Sequence, residues 1–439
     1  MSEGPRVRLQ SLGCRLNEAE LEAWAEGFRR LGLRVAGDGE SADLVVVNTC
    51  AVTREAARKS RQLMRRGRRL DPQARLVVSG CLATLEPDTL GDAGAADLII
   101  ANRDKDRLAE IAAATLALPV DPGRSTETPS QTLFARGRQR AFVKVQDGCR
   151  HKCTFCITTL ARGEERSRPI AEVVDQVSRL AASGVREVVL TGVHLGGYGG
   201  DLESGQPRGL AGLIRALLSD TSVPRIRLGS LEPWDLPAGF WELFCDRRLM
   251  PHLHLPMQSG SDTVLRRMGR RCRTTAFARL AEEGRSAVAG LNLSTDIIVG
   301  FPGETESDWQ ETLAFVEALG FGQVHVFPYS RGPGTHAAEL PGQVDTGTKR
   351  RRARDLTRIA RRLRRGVLET QIGARVPVLR EADPGSGGGS GLFGYTPNYL
   401  PVRIDPDPGA PPVGDIMEVR ILGLTPEGDM LRGRRLSPA

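Results

Sequence analysis

The chain has 439 residues, which is too long for one ordinary domain and predicts two or three. Hydrophobic residues make up 40 % of it, enough for packed cores, which excludes an intrinsically disordered protein. The formal charge of +8 is compatible with an anionic partner, although a bias toward arginine, with only five lysines, explains it equally well. No stretch approaches the roughly 20 apolar residues that span a bilayer. Because MSEGPRVRLQ lacks the apolar core of a secretory signal, we expect a cytoplasmic protein with no membrane association.

The first segment, residues 1–120, repeats a unit in which an apolar strand is followed by a helical pattern. The strands are VRLQSL (7–12), DLVVVN (43–48) and RLVVSG (75–80), and the helices begin near Asn17, Thr53 and Glu86. Near-continuous apolar strands that alternate with helices are typical of parallel sheets. The segment therefore predicts a doubly wound parallel α/β domain.

Residues 121–139 are rich in Pro, Gly, Ser and Thr and are predicted to be a linker. A second α/β domain follows over 140–368. Its strands are AFVKVQ (141–146), EVVLTGV (187–193), RIRLGS (225–230), HLHLPM (252–257), LSTDIIVG (293–300) and QVHVFPYS (323–330). Six strand–helix units are fewer than the eight of a closed barrel, so we predict an open partial (β/α)6 barrel.

The pattern changes after a very basic helix at 348–366. ARVPVLREA, LFGYTPNYLPVRI and DIMEVRILGL alternate apolar and polar residues, and a GSGGGSG loop lies at 385–391. Such alternation is typical of a small β-barrel, which we predict for residues 369–439. The fold class is thus a multidomain α/β protein with a C-terminal β-barrel.

Three of the eight cysteines, Cys14, Cys50 and Cys81, each lie just beyond a predicted parallel strand, in SLGC, VVNTC and VVSGC. A single buried cysteine is usually a small hydrophobic residue. Three at equivalent positions meet at one edge of a parallel sheet, which is where ligands bind. We therefore predict a shared metal site.

A second triplet, Cys149, Cys153 and Cys156, follows the first strand of the central domain. A structural zinc site needs four ligands, and His151 is the only nearby candidate for the fourth; we interpret it as an exposed loop residue. Iron–sulfur cubanes normally take four thiolates, so three would leave one iron open for a substrate. Cys245 and Cys272 have no partner at metal-binding spacing and are interpreted as ordinary thiols.

The spacing C-x3-C-x2-C with Phe155 before the last cysteine resembles the radical S-adenosylmethionine (SAM) superfamily. Upstream cysteines in LGC, NTC and SGC contexts resemble its methylthiotransferases. The likeness continues through FVKVQDGC, ARGEERSRP, EVVLTGVHLG, RIRLGSLEP, HLHLPMQSGSD, TDIIVGFPGETE and HVFPYSRGPGT, and so covers nearly the whole chain. GYTPNYLPV in the C-terminal barrel resembles the TRAM module, an RNA-binding fold. Arg150 stands where the most similar branch of the family often has Asn.

This resemblance implies two 4Fe–4S clusters and SAM as cofactors. Cys149, Cys153 and Cys156 would hold the cluster that cleaves SAM to a 5′-deoxyadenosyl radical, which takes hydrogen from carbon 2 of an adenine. Cys14, Cys50 and Cys81 would hold an auxiliary cluster that carries the sulfur, and a second SAM would methylate that sulfur. Because both open irons must reach one adenine, we expect the first domain to cap the mouth of the barrel.

Further SAM contacts are expected at the ends of the barrel strands. The candidates are Thr191, Gly192, Glu232, Gln258, Ser259, Asp296, Gly300 and Gly303. The glycines are explained equally well by turns, and Glu232 has the alternative of a carboxylate that caps a surface loop. His194 and His254 are interpreted as ordinary strand-end histidines.

RNA is expected to contact the C-terminal barrel and two Arg-rich helices, 53–70 and 348–366, through its phosphates. Solvated helix faces are the alternative for both helices. Tyr395 and Tyr399 are candidates for stacking on unpaired bases. Candidate ligands of the phosphates or the threonyl carboxylate of the substrate are Arg162, Arg166 and Arg168.

VQDGC, TGVHLG, LGSLEP and HVFPYSRGPGT are most similar to the branch that modifies N6-threonylcarbamoyladenosine at position 37, beside the tRNA anticodon. The partners would be the tRNA anticodon loop and an electron donor such as flavodoxin or ferredoxin. Isopentenyl-adenosine in tRNA and an aspartate of a ribosomal protein are the alternative substrates. A non-catalytic RNA-binding iron–sulfur protein is the alternative from another class. The sequence leaves the oligomeric state open.

Overall fold

The computed structural model describes residues 4–37, 39–92, 96–121, 139–202, 209–383 and 392–436. Most of the predicted linker and the whole GSGGGSG loop lie outside these residues. Among the described helices, none combines the length and the hydrophobicity that crossing a membrane requires.

The N-terminal domain contains a five-stranded parallel sheet with the order β2-β1-β3-β4-β5. Its strands are β1 (Arg6–Ser11), β2 (Arg34–Val35), β3 (Leu44–Thr49), β4 (Arg75–Gly80) and β5 (Leu98–Ile100). The three predicted strands are confirmed. β2 and β5 were not predicted, because two or three residues are too few to show an apolar run.

Helices cover both faces of this sheet, so the doubly wound arrangement is confirmed. They are α1 (Arg15–Arg30), α2 (Arg54–Leu70), α3 (Cys81–Leu85), α4 (Pro87–Asp92) and α5 (Leu108–Thr115), with a 3-10 turn at Lys105–Arg107. Trp24 and Phe28 of α1 pack with Leu108 of α5 on one face. Met64 of α2 and Leu82 of α3 pack on the other. The third predicted helix proved to be two short ones, which flank Glu86.

The central domain contains the six predicted parallel strands, arranged as an open partial barrel. They are β6 (Arg140–Lys144), β9 (Glu187–Thr191), β10 (Arg225–Leu228), β11 (His252–His254), β12 (Asn292–Val299) and β13 (Gln323–Pro328). Two three-stranded sheets are joined by bridges between Ile226 and Leu249 and between Ser230 and His254. An antiparallel ribbon of β7 (Gln146–Asp147) and β8 (Arg166–Ser167), which was not predicted, frames the cysteine loop.

Helices surround this barrel and bury its outer face. They are α6 (Ile157–Arg162), α7 (Ile170–Ala182), α8 (Gly209–Asp220), α9 (Asp262–Arg267), α10 (Thr274–Ala287), α11 (Glu306–Leu319), α12 (His336–Glu339) and α13 (Thr346–Glu369). Short 3-10 turns lie at Leu195–Gly197 and Trp241–Cys245. α11 begins with a capping box between Thr305 and Asp308, which satisfies the free amides of its first turn.

The C-terminal strands form the predicted closed barrel in the order β14-β15-β16-β18-β17. They are β14 (Arg375–Glu381), β15 (Leu392–Tyr395), β16 (Pro401–Ile404), β17 (Ile416–Leu424) and β18 (Leu431–Arg435). The barrel docks on the N-terminal ends of the central strands. There Arg225 donates to the carbonyl of Pro377 (2.7 Å), and Asn292 donates to that of Asn398 (2.8 Å). This contact closes the lower end of the partial barrel.

Candidate iron–sulfur centre and active site

One cavity of about 730 Å³ runs between the N-terminal domain and the inside of the partial barrel. The six cysteines of the two predicted sets all line it: Cys14, Cys50, Cys81, Cys149, Cys153 and Cys156. None of the eight cysteines is in a disulfide. The expected meeting of the two sets in one space is therefore confirmed.

The first set is assembled by the sheet edge and by two glycines. Gly13 and Gly80 precede Cys14 and Cys81 and have φ values of +118° and +98°, in the left-handed region that favours glycine. A Cβ on Gly80 would lie 2.3 Å from the carbonyl oxygen of Thr49. The chain therefore turns sharply after the strand and places each thiol over the sheet edge. Cys50 follows β3 directly, and its amide donates to Ser60 Oγ (2.9 Å).

The second set lies on the loop between β7 and α6. The amide of Cys149 donates to the carbonyl of Gly163 (3.1 Å), and that of Cys156 donates to Cys153 (3.0 Å). Gly148, directly before Cys149, has φ +72°. A Cβ at this position would lie 1.8 Å from the carbonyl oxygen of Glu164. The loop can therefore close only with glycine at position 148.

Replacing Gly148 by alanine should displace the loop and reduce the iron bound by the second set, because backbone atoms block the added methyl group. We expect the stability to fall by about 1–3 kcal/mol. Iron content and the free energy of unfolding of G148A measure both effects. G366A is the matched control, since Gly366 has no atom near the added Cβ. Normal iron content in G148A would contradict this role of the loop.

Polar groups close to the sulfurs test whether these sites suit an iron–sulfur cluster. The amide of His151 lies 3.4 Å from Cys149 Sγ, and Thr159 Oγ1 lies 3.7 Å from Cys156 Sγ. Arg270 Nη1 is 3.8 Å from Cys153 Sγ, and Asn102 Nδ2 is 3.9 Å from Cys81 Sγ. Donors of this kind stabilise cluster sulfur and tune its potential. Both sets therefore fit the cofactor.

Burial raises the pKa of four of these thiols, those of Cys50, Cys81, Cys149 and Cys153. It brings the pKa of Cys149 to about 12 and that of Cys50 to about 11, and the neighbouring cysteines add to the effect. Burial also raises the pKa of Cys81 and of Cys153. Arg162 opposes this effect at Cys81, and Arg270 opposes it at Cys153. At these four positions an isolated thiol would stay protonated at neutral pH, whereas metal coordination deprotonates a thiol. The two sites are thus suited to metal ligation and unsuited to nucleophilic cysteine chemistry.

A buried network of ion pairs joins the two cysteine-bearing domains. Glu20 and Lys105 of the N-terminal domain pair with each other (2.5 Å), and Lys105 also pairs with Asp147 (2.9 Å). Arg162, on α6, bonds Glu20 (2.8 Å), Asp147 (3.0 Å) and Asn17 (2.8 Å). At the same contact, α3 packs against α6. The helices that follow Cys81 and Cys156 are thereby held together.

Burial opposes ionisation of Glu20, but Arg162 and Lys105 together lower its pKa to about 2. The pKa of Asp147 is also lowered, since the same two cations outweigh its burial. The network is therefore fully charged at neutral pH.

Five of the eight expected SAM contacts line the cavity: Thr191, Gly192, Glu232, Gln258 and Asp296. Glu232 is paired with Arg270 (2.6 Å). Gln258 has φ +79°, which is strained for a residue with a side chain and is frequent at functional sites.

The other three, Ser259, Gly300 and Gly303, are not among the residues that line the cavity. Ser259 is buried, and its hydroxyl lies 3.4 Å from that of Thr312. Both glycines have φ above +70°, and a Cβ there would meet Lys349 or Arg267. The geometry favours the turn interpretation of these glycines.

The histidines near the cysteine loop form a buried cluster. His151 is buried, so its interpretation as an exposed loop residue was wrong: its Nε2 lies 3.0 Å from His194 Nε2 and 3.1 Å from Asp235 Oδ2. His194 also contacts Glu165 and bonds Asp235 (2.7 Å). His194 and His254 have hydrogen-bonding partners, as expected of strand-end histidines.

The three arginines expected to bind substrate have other partners. Arg162 lines the cavity, but Glu20, Asp147 and Asn17 already occupy its guanidinium. Arg168 donates to the carbonyl of Lys144 (2.9 Å) and to Gln176 (2.7 Å), outside the cavity lining. Arg166 lies on the exposed ribbon, 3.8 Å from Asp147. The structure does not support the predicted role for this group.

Tyr395 and Tyr399 face the barrel interior instead of presenting free faces to RNA. Their rings stack on each other at 4.8 Å, and the ring of Tyr399 also contacts His252 at 5.0 Å. Arg140 and Arg227 lie over the Tyr399 ring at 4.9 and 4.7 Å. Because these faces are occupied, stacking on RNA bases is not supported. The two tyrosines line the floor of the cavity.

Comparisons with known proteins agree with this architecture. Residues 143–316 match the Radical SAM superfamily, and residues 6–101 match the Uncharacterized protein family UPF0004. A solved structure of the radical SAM methyltransferase TsrM from Kitasatospora setae is similar in fold, with a TM-score of 0.55 at 17 % identity. That similarity covers 76 % of this chain and 75 % of the other. The class of the protein is thus a radical SAM enzyme with an additional N-terminal domain.

Two curated relatives are named threonylcarbamoyladenosine tRNA methylthiotransferase MtaB. The Bacillus subtilis protein is 35 % identical over 95 % of this chain and 93 % of its own length, and that of Thermotoga maritima is 34 % identical over 98 % of each. A tRNA-2-methylthio-N6-dimethylallyladenosine synthase from Novosphingobium aromaticivorans is 35 % identical over 97 % of each chain. The chain belongs to the radical SAM methylthiotransferase family. It is a transferase of sulfur-containing groups that uses SAM and two iron–sulfur clusters.

Proposed function

We propose that this protein methylthiolates carbon 2 of N6-threonylcarbamoyladenosine at position 37 of tRNA. The proposal is supported chiefly by one observation, that both cysteine sets line the same cavity. Sulfur insertion at one carbon needs a hydrogen-abstracting centre and a sulfur-donating centre around the same atom. The names of the MtaB relatives support this particular substrate.

Cys149, Cys153 and Cys156 hold the cluster that binds SAM in this proposal, and Cys14, Cys50 and Cys81 hold the second cluster. When bound, these cofactors supply the radical chemistry, the sulfur and the methyl group. The chain positions and shields the reacting groups. The Glu20–Arg162 network fixes the N-terminal domain over the barrel mouth, and Arg270 holds the Glu232 carboxylate in the cavity wall.

Thr191, Gly192, Gln258 and Asp296 are proposed to contact SAM together with Glu232, since all five line the cavity. Asp296 lies within β12, and the other four lie at or just beyond strand ends. For the tRNA anticodon loop, we propose phosphate contacts with the exposed arginines of two helices. Arg54, Arg65 and Arg69 of α2 are exposed, as are Arg354, Arg361 and Arg365 of α13. The C-terminal barrel is proposed to add RNA contacts, and flavodoxin or ferredoxin is the proposed electron donor.

Nucleoside mass spectrometry on a deletion strain tests this function directly. Total tRNA should contain N6-threonylcarbamoyladenosine in place of its 2-methylthio derivative, and the plasmid-borne gene should restore the derivative. A gene encoding C153A should not restore it, although the protein accumulates normally. Unchanged nucleosides in the deletion strain would contradict the proposal.

The relative named as a dimethylallyladenosine synthase favours one second candidate, isopentenyl-adenosine in tRNA. The same experiment separates the two substrates, because loss of that activity leaves unmethylthiolated isopentenyl-adenosine instead.

A further inference from the structure

Among the residues that the structure describes, four arginines line the cavity, and two of these form no ion pair with a described carboxylate. Arg162 pairs with Glu20 and Asp147, and Arg270 pairs with Glu232. The other two are Arg15 and Arg364, which form no ion pair with a described carboxylate. Within the cavity, these two guanidinium groups are the ones left for an anionic ligand.

Arg15 and Arg364 come from different domains and reach the same floor. Arg15 begins α1; its Nη2 donates to the Tyr399 hydroxyl (3.0 Å), and its guanidinium lies 5.3 Å from the Tyr399 ring centroid. Arg364 lies on α13 and donates to Gln323 Oε1, while its Nε is buried without a hydrogen-bond partner. Both side chains are half-buried.

The floor around them is electrostatically positive. His325 lines the same space, and its pKa is lowered, chiefly by burial. The positive charges of His254, Arg15 and Arg364 lower it further, whereas the carboxylate of Asp296 opposes the change. Asp296 is the nearby carboxylate, and it pairs with His254 at 3.3 Å. Burial lowers the pKa of Arg364, and Asp429 offsets this only in part. Two cations thus share the floor with Asp296, which is already paired with His254, while Asp429 acts on Arg364 without forming an ion pair with it.

Such an arrangement is unfavourable in the empty protein. Burying a charge without a partner costs free energy, which is recovered when an anion binds. Guanidinium groups suit a carboxylate in particular, because they donate two parallel hydrogen bonds to its oxygens.

The positions of the lining residues along the barrel indicate which part of the substrate reaches the floor. The second cysteine set lies on the loop after β7, whereas Tyr399 packs against His252, the first residue of β11. Carbon 2 of the adenine must lie beside the cysteines, and N6 is the exocyclic nitrogen on carbon 6, which N1 separates from carbon 2. A substituent on N6 therefore points away from carbon 2, toward the part of the cavity lined by Tyr395, Tyr399, Arg15 and Arg364.

We infer that Arg15 and Arg364 form the subsite for the carboxylate of the N6 substituent. The inference rests on the proposed function and makes these residues its specificity determinants. A hydrocarbon substituent such as isopentenyl would leave both half-buried guanidinium groups without an anionic partner, so it is disfavoured at this floor.

Binding of three anticodon stem-loop RNAs to the reconstituted full-length protein tests this subsite. The RNAs carry at position 37 adenosine, N6-threonylcarbamoyladenosine, or its uncharged carboxamide analogue. The wild-type protein should bind the carboxylate RNA about 10- to 100-fold more tightly than the carboxamide RNA, the usual range for a charged hydrogen bond. R15Q and R364Q should each remove most of this preference, and R364K should keep part of it.

R361Q is the matched control, because Arg361 is exposed on the same helix and the charge change is identical. It should weaken binding of all three RNAs equally and leave their ratio unchanged. Equal affinities of the wild-type protein for the carboxylate and carboxamide RNAs would overturn the subsite. This comparison uses no variant, so it holds even if a variant fails to fold. A preference that persists in both glutamine variants would also overturn it. The nucleoside profile of the deletion strain decides the proposed function separately, so the two failures are distinguishable.

Discussion

Replacing Cys153 by alanine should abolish reductive cleavage of SAM. It should also lower the iron content from about eight to about four atoms per chain, which corresponds to the loss of one 4Fe–4S cluster. The remaining iron should stay with the first cysteine set, which lies in a different domain. Replacing Cys50 should have the complementary effect: about four iron atoms are lost, SAM cleavage is kept, and methylthiolation stops. Iron and sulfide analysis with a SAM-cleavage assay measures all of these outcomes.

Cys245 provides the matched control, since it is exposed and is not among the residues that line the cavity. C245A should keep the full iron content and both activities. If C153A and C50A removed the same iron atoms, the two sets would share one cluster, and the assignment of two separate sites would be wrong.

Replacing Arg162 by methionine should destabilise the protein by about 3–5 kcal/mol, the range for breaking a buried ion pair from one side. Lys105 would then be the one cation still paired with Glu20 among the described residues, and Asp147 would keep Lys105 at 2.9 Å and the more distant Lys144 and Arg166 at 3.7 and 3.8 Å. Denaturant unfolding of the reconstituted protein measures this loss. R166M is the control, because Arg166 is partly exposed and should change stability by less than about 1 kcal/mol. Equal stability of R162M and the wild type would show that the network does not hold the two domains.

The same network predicts a pH dependence. The pKa of Glu20 falls from 4.5 to about 2 on folding, so its contribution is complete above pH 4.5 and is lost as the pH falls toward 2. The wild type should therefore lose stability over this interval more steeply than R162M. Unfolding curves at several pH values compare the two slopes, and parallel slopes would contradict the cause given for the shift.

Apolar strand patterns were sufficient to predict most of the fold. β3 and β4 are almost completely buried and read as continuous apolar runs, and the six barrel strands alternate with helices. The two-residue strands β2, β7 and β8 carry no such signal, because their pairing depends on neighbours that are distant in sequence. The docking of the C-terminal barrel also depends on contacts between residues that are distant in sequence, so it was not predicted. This docking turns Tyr395 and Tyr399 toward the cavity.

The cysteines of the site could be predicted because each follows a strand or has a recognisable spacing. The sequence could not show which arginines are available to bind an anionic ligand. Their availability depends on whether a carboxylate elsewhere in the chain already pairs with them. Arg162 looked available beside the cysteine loop, yet its partner Glu20 lies 142 positions away. Arg15 showed no sequence signal, and Arg364 was one of many arginines in the basic helix 348–366, so only the fold shows that the two meet at one floor. The spacing after Cys14 gave no hint that Arg15 turns into the cavity.

Iron anomalous scattering from crystals of the anaerobically reconstituted protein tests the central claim most directly. The account predicts two separate cubane-sized iron peaks, one against Cys14, Cys50 and Cys81 and the other against Cys149, Cys153 and Cys156, both open to the same cavity. A single peak, or two peaks that face different cavities, would contradict it.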